Sequence, residues 1–314
     1  PAIVWHYGEP FADSSALPSF LIAEAARRHV SVVLTGDGGD EAFGGYDRHL
    51  TAGRDTRWAW LPGFLRCGLL PAFGNLLANR FPVSLSAQRL AAAARYAAGQ
   101  REALASNLCW WDGLRNALYA PSWRQRIGDW HPIAAQQQRL DALNGPTQVD
   151  RALQYVLTVR LPSDYLVKVD VATMAHALEA RCPFLDIDLL RFAATIPADS
   201  LLQGGIGKAL LKRYAERLVP REVLYRPKQG FALPLGQWLR SNGGTLLRET
   251  VLSRAAADRG YFDPKTVATV VEQHLRGRVD HTHRLWALLV FEIWNRLFVD
   301  RSLRPDQPLA SALA

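Results

Sequence analysis

The 314-residue chain is 49% hydrophobic and 21% charged, which supplies a continuous core and excludes a mostly disordered polypeptide. Lys and Arg outnumber Asp and Glu by 37 to 29, a formal net charge of +8 that favours anionic ligands, yet the basic residues are scattered and nucleic acid is not favoured. The three cysteines, Cys67, Cys109 and Cys182, are too few and too widely spaced for a disulfide framework or a Cys-x-x-Cys metal pair, so a reducing, cytoplasmic setting is expected.

The chain opens at Pro1 without an initiator Met or a basic-then-apolar leader, and reads as the downstream part of a longer polypeptide. Ala2 to His6 (A-I-V-W-H) and Val30 to Leu34 (V-S-V-V-L) have the β-branched, apolar character of short buried parallel strands. Between them, Pro18 suits a first helical turn and Leu17, Phe20, Leu21 and Ala25 keep helical spacing, so the segment predicts one β-α-β crossover. From about Arg54 onward no comparable strand run follows. Helix-like stretches such as Leu61 to Ala78 and Leu85 to Ala98 are separated by Pro and Gly. Thr147 and Asp150 have capping-box spacing, and Val149, Leu153, Val156 and Leu157 share one face of the core helix they predict. Leu285 to Val299 is the most apolar segment, but Glu292, Asn295 and Arg296 interrupt it and it falls short of the ~20 residues of a membrane span. It predicts a core helix.

The chemistry concentrates in Thr35 to Tyr46, T-G-D-G-G-D-E-A-F-G-G-Y, directly after the Val30 to Leu34 strand. Open parallel sheets bind ligands beyond the carboxyl ends of their strands, where glycines such as Gly36, Gly38 and Gly39 let backbone amides approach phosphate oxygens. Asp37, Asp40 and Glu41 would repel a phosphate unless a hard cation intervenes, which fits Mg²⁺ carried by a nucleotide polyphosphate. A glycine-rich surface turn with solvated acids accounts for the same composition, and both readings stand on the residues alone. Lys228 follows Pro227 and precedes Gly230, a setting that presents an ammonium from a loop; as one more basic residue after Arg221 and Arg226 it also reads as ordinary surface. Gly204 to Ala209 (G-G-I-G-K-A) imitates a phosphate loop, but Leu202 replaces its first glycine and Ala209 its metal-binding hydroxyl, so it reads as the start of the helix carrying Leu210, Leu211, Tyr214 and Leu218.

The string Thr35 to Tyr46 resembles the S-G-[ED]-G-x-D-E-x-F-G-G-Y signature of the synthetase domain of glutamine-dependent asparagine synthetases, within the pyrophosphate-loop ATP pyrophosphatase group. Glu9 to Pro18, Leu166 to Asp186, Arg226 to Leu239 and Leu285 to Arg296 are similar to later motifs of that family in the same order. The likeness thins between about Thr51 and Asp150. It implies an α/β fold, part of a parallel-sheet adenine-nucleotide α-hydrolase-like (pyrophosphate-loop) architecture with a large helical portion. Residues 1–50 would be a partial nucleotide-binding unit and 51–314 the mainly helical remainder.

The resemblance also implies a two-step reaction with ATP and Mg²⁺. The aspartate side-chain carboxylate is adenylated with release of pyrophosphate, and ammonia, drawn from glutamine by an amino-terminal glutaminase domain of the parent chain, converts the adenylate to asparagine. On that likeness Asp40 is the metal ligand, Lys228 bridges the phosphates, Thr35, Gly36 and Gly38 contact ATP, and Asp37 serves the adenylate and the incoming ammonia. Asp37 is one methylene shorter than the Glu of many relatives, which favours a positioning role over a general base. Lys168, Asp170, Arg181 and Asp186 receive no role. Asp13-Ser14-Ser15 resembles the end of the family's S-G-G-x-D-S-S loop but lacks its glycines. With that loop and the glutaminase nucleophile absent, the 314 residues alone are expected to be inactive. Two other readings stay open: a related amidotransferase or cyclase acting on another carboxylate (a cell-surface sugar, peptide or β-lactam precursor), and a non-catalytic basic helical binding module.

Overall fold

The computed structural model describes residues 1–52, 61–81, 84, 86–87, 90–91, 94, 110, 112–130, 138–226 and 233–308. They fall into two compact units, one formed by Pro1–Pro18, Pro62–Pro132 and Ala232–Ala314, the other by Ser19–Leu61 and Ile133–Phe231.

The first unit is helical. Helices Leu235–Arg240, Gly243–Thr250, Pro264–Leu275 and Thr282–Trp294 bury Leu239, Leu247, Val270, Val271, Leu285 and Leu289 in one core. The expected core helix near the carboxyl end is therefore present, and Glu292 within it is buried because Arg259 and Arg296 both pair with its carboxylate, at 3.0 and 2.8 Å. No described helix is long and apolar enough to cross a membrane.

Ala2–His6 is not a strand. It forms α1 (Ala2–Tyr7), so the expected β-α-β crossover is absent. A strand needs a neighbour for its amides, whereas here Trp5 N–H reaches Pro1 O at 2.9 Å and the helix satisfies itself. Gly8, at φ 70°, ends the helix by donating to the Val4 and Trp5 carbonyls, and Trp294 Nε1 donates to Gly8 O at 3.0 Å. Only Val4 of α1 is buried, while Trp5 stacks on Phe298.

The second unit holds a two-stranded parallel sheet. β1 (Val32–Leu34) pairs with β2 (Glu179–Arg181) in the register Val32 to Glu179, Val33 to Ala180 and Leu34 to Arg181. Flanking bonds from Glu179 N–H to Ser31 O (2.9 Å) and Thr35 N–H to Arg181 O (2.8 Å) extend the ladder at both ends. β2 corrects the expectation that no strand follows Arg54. Its sequence, E-A-R, carries no β-branched residue, and it is set by its surroundings: Ala177 turns the chain at φ 53°, Leu178 is buried, and β1 provides the partner. The helix expected ahead of β1 is α2 (Ala16–Arg27), whose Phe20 meets His176 edge-on at 4.6 Å.

The capping box is formed. Asp150 N–H donates to Thr147 Oγ1 at 3.1 Å and Thr147 N–H to Asp150 Oδ2 at 3.0 Å, opening helix Gln148–Tyr155. This helix continues through a π-helical stretch, Val156–Tyr165, into helix Leu166–Met174. Pro162 lies inside the widened stretch, where a residue without an N–H disrupts the α-helical bonding pattern. Much of the helix expected over Leu85 to Ala98 lies outside the described residues.

Candidate active site

β1 delivers Thr35, Gly36 and Asp37 to a tight turn at Gly38, after which α3 (Gly39–Phe43) begins. Gly38 has φ 93°, and a Cβ there would lie 2.3 Å from Leu185 Cδ2. Conformation and packing both demand glycine at this position. Phe184 lies against Gly39 and meets Phe43 edge-on, at 6.3 Å between ring centroids. The C-P-F-L stretch at 182–185, left without a role by the sequence, is the floor on which the acidic turn rests.

Glu41 points inward and is 3% exposed. Its carboxylate accepts Gly38 N–H at 2.9 Å and a short hydrogen bond from Tyr46 O–H. Burial, that bond and the surrounding negative charge together push the Tyr46 phenol well above its ordinary range, so it stays protonated and donating. Glu41 is thus a structural acid. Asp37 is half-buried and forms no ion pair among the described residues.

The Asp40 carboxylate makes an ion pair, with Lys208 Nζ 2.8 Å from Oδ1. Both side chains remain partly exposed, at 26% for Asp40 and 32% for Lys208. Gly45 makes room for that carboxylate, since a Cβ there would fall 1.7 Å from Asp40 Oδ1. Gly207 packs on the Gly44 carbonyl, 2.9 Å from its own would-be Cβ, and precedes the lysine that pairs with Asp40. Lys208 adopts φ 58° and caps helix Ala209–Ala215, so the G-G-I-G-K-A segment opens a helix as expected. What sequence reading missed is that this opening lysine is carried to the acidic turn.

Lys212, one turn further on, feels the same place. Burial lowers its pKa first and the Lys208 charge lowers it further, against the opposing pull of Asp40. The Asp40 charge thus acts on both lysines, and its ion pair is with Lys208. Lys212 also lies over the Tyr225 ring at 5.4 Å, as Arg221 does at 4.6 Å.

Of the three expected ATP contacts, Thr35 uses its N–H in the sheet and its hydroxyl lies 3.2 Å from Cys182 Sγ, while Gly38 gives its N–H to Glu41. Gly36 is exposed, its N–H donates to no described residue, and a Cβ there would meet nothing within 4 Å. Lys228 lies outside the described residues. Among the residues without a role, Asp186 caps helix Ile187–Ala194 by accepting the Asp188 and Leu189 amides at 3.0 and 3.1 Å. Arg181 pairs with Glu179, and Lys168 lies over the Tyr165 ring at 5.4 Å. Asp13-Ser14-Ser15 is a local turn, with Asp13 Oδ1 accepting both the N–H and the hydroxyl of Ser15.

No group of three or more His, Cys, Asp or Glu able to cage a metal occurs among the described residues. The single carboxylate of Asp40 is a hard oxygen donor of the kind Mg²⁺ takes, an ion held through one or two carboxylates plus substrate phosphates rather than by an all-protein cage.

The asparagine synthase family matches residues 1–296 of this chain. A Mycobacterium tuberculosis protein assigned the name glutamine-hydrolyzing asparagine synthetase is 34% identical over 316 residues, covering 98% of this chain and 45% of the relative. Glutamine-hydrolyzing asparagine synthetase 1 of Bacillus subtilis is 28% identical over 318 residues, covering 98% and 47%. The human enzyme of that name is 30% identical over 137 residues, covering 38% and 24%. The chain spans just under half the length of the first two relatives. With a family match running through both the acidic turn and the lysine-capped helix, the chain belongs to the asparagine synthase family.

Proposed function

We propose that this chain carries part of the ATP site of a carboxylate-activating amide synthetase, with aspartate as the acceptor and Mg·ATP as the activating substrate. The observation that carries the reading is the Asp40–Lys208 pair with Lys212 beside it, at the carboxyl end of β1. That position and the local excess of positive charge suit a metal-bound polyphosphate. The fold reading, part of an adenine-nucleotide α-hydrolase-like domain, agrees with this placement.

In the first step an oxygen of the aspartate side-chain carboxylate bonds to the α-phosphorus, and the bond from that phosphorus to the β-phosphate bridging oxygen breaks. Pyrophosphate leaves and an acyl adenylate remains. In the second step ammonia bonds to the acyl carbon, AMP departs with the carbon–oxygen electron pair, and the new amide sheds a proton. Asp40 would hold the magnesium ion, which supplies charge neutralisation on the phosphates. Lys208 and Lys228 would stabilise charge gathering on the leaving pyrophosphate, and Gly36 would let its free N–H approach a phosphate oxygen. Asp37 would orient the ammonia or take its proton. Glutamine, through an additional glutaminase domain, is the proposed ammonia source.

Aspartate-dependent exchange of labelled pyrophosphate into ATP by the full-length protein tests the reading. Exchange that disappears in Asp40→Asn supports it. Exchange with a sugar, peptide or β-amino acid carboxylate in place of aspartate would redirect the substrate assignment. Absence of nucleotide binding together with salt-sensitive oligonucleotide binding indifferent to Asp40 would replace it with a binding module.

A further inference from the structure

On the Asp40 carboxylate proposed to hold the metal an ammonium already sits, with Lys208 Nζ 2.8 Å from Oδ1. Lys208 is held there by backbone geometry rather than by reach alone: it is a non-glycine residue at φ 58°, and Gly207 is packed on the Gly44 carbonyl of the acidic turn's own end. Such a conformation disfavours ordinary L-residues and persists where the surroundings require it. Lys212 stands close enough for its charge to oppose that of Lys208. A divalent cation arriving alone at Asp40 would therefore have to displace one ammonium in the presence of a second, without bringing an anion to receive it. A polyphosphate arriving with the metal changes the balance, because its oxygens receive both the lysine and the metal.

We propose that Lys208 is a placeholder on the metal-binding carboxylate, making occupation of Asp40 by a divalent cation conditional on polyphosphate. The inference rests on the nucleotide-site reading above and adds an ordering to it. Lys208 disfavours bare metal and favours the metal–polyphosphate complex, so removing it moves the two affinities in opposite directions. A salt bridge that only ties two segments together predicts that both affinities fall.

The test uses the full-length protein, Mn²⁺ followed by the electron paramagnetic resonance of the free ion, and magnesium pyrophosphate followed by calorimetry. Lys208→Gly suits the positive φ, and Lys208→Asn, a residue tolerated both in that conformation and as a helix cap, provides a second variant. Thermal unfolding confirms that each is folded. A partly exposed ion pair of this kind competes modestly, so bare Mn²⁺ should bind about three- to tenfold more tightly to the variants than to wild type. Magnesium pyrophosphate should bind about tenfold less tightly, from loss of a charge-assisted contact to phosphate. Unchanged or weaker Mn²⁺ binding in both variants, with wild type still taking up magnesium pyrophosphate, overturns the placeholder alone. Failure of wild type itself to bind magnesium pyrophosphate overturns the nucleotide site and the placeholder with it.

Discussion

Gly38 and Gly36 lie two residues apart in the same turn, and alanine should affect them in different ways. At Gly38 the backbone has φ 93°, which costs an L-residue roughly 1–2 kcal/mol. The added methyl also falls 2.3 Å from Leu185 Cδ2 and 3.1 Å from the Phe184 backbone, an overlap of the kind that costs about 1–3 kcal/mol in a packed interior. Gly38→Ala should therefore destabilise by about 2–5 kcal/mol, read by urea unfolding followed by circular dichroism. The two contributions separate in a double-mutant cycle. Leu185→Ala in the Gly38→Ala background should recover the overlap component, a coupling of about 1–3 kcal/mol, and leave the conformational cost in place. At Gly36 the methyl meets nothing, so Gly36→Ala should stay within about 0.5 kcal/mol of wild type in stability. If its N–H approaches phosphate, the same substitution should nevertheless weaken Mg·ATP binding about tenfold, because the methyl then stands where the ligand belongs. A Gly38→Ala protein as stable as wild type, or a Gly36→Ala protein equally destabilised, would refute the packing account of the turn.

Two further outcomes follow from charge. His281 is buried, its Nε2 2.8 Å from Gln273 Oε1 and its Nδ1 3.3 Å from Arg284 Nη1, and burial with the Arg284 charge lowers its pKa from 6.5 to about 4. The unfolded chain therefore takes up this proton first. The stability His281 contributes is complete above pH 6.5 and declines as pH falls towards 4, by about 3 kcal/mol in all. Unfolding midpoints measured at pH 8, 6 and 4.5 should show that decline, and His281→Gln should reduce its slope; an unchanged slope would remove His281 as its cause. For the reaction, Lys228→Ala should lower AMP formation by about 10²–10³-fold, the scale of losing one preorganised charge on the transferring phosphate, and unchanged AMP release would exclude Lys228 from that role.

The acidic turn was legible in the sequence because its requirements are local: glycines at 36, 38 and 39, acids at 37, 40 and 41, and an apolar run before them all lie within a dozen residues. The cap at Thr147 was legible for the same reason, two side chains three residues apart. Ala2–His6 was misread because two β-branched neighbours, Ile3 and Val4, outweighed the one signal that decides the segment, Gly8 in the left-handed conformation that stops a helix. β2 had no local signal. Glu179, Ala180 and Arg181 form a strand because Val32, Val33 and Leu34 offer them a parallel edge, a condition created almost 150 residues earlier in the chain.

Lys208 belongs with β2. Its neighbours Gly204, Gly205 and Gly207 imitate a phosphate loop by spacing, but the missing glycine and hydroxyl make the segment a helix start, and that local pattern gives the lysine no further role. What matters at Lys208 is the closeness of Gly207 to the Gly44 carbonyl, which no local pattern encodes. The same holds for charge. A net +8 spread over 314 residues says only that anions are welcome somewhere. Lys208 on the Asp40 carboxylate, with Lys212 one turn further along the same helix, turns that general excess into a specific one beside a potential metal ligand. An anion alone would be repelled by Asp40 and a cation alone by the lysines, whereas a metal-bound polyphosphate satisfies both, which makes the pairing a stronger pointer to the ligand than either motif in isolation.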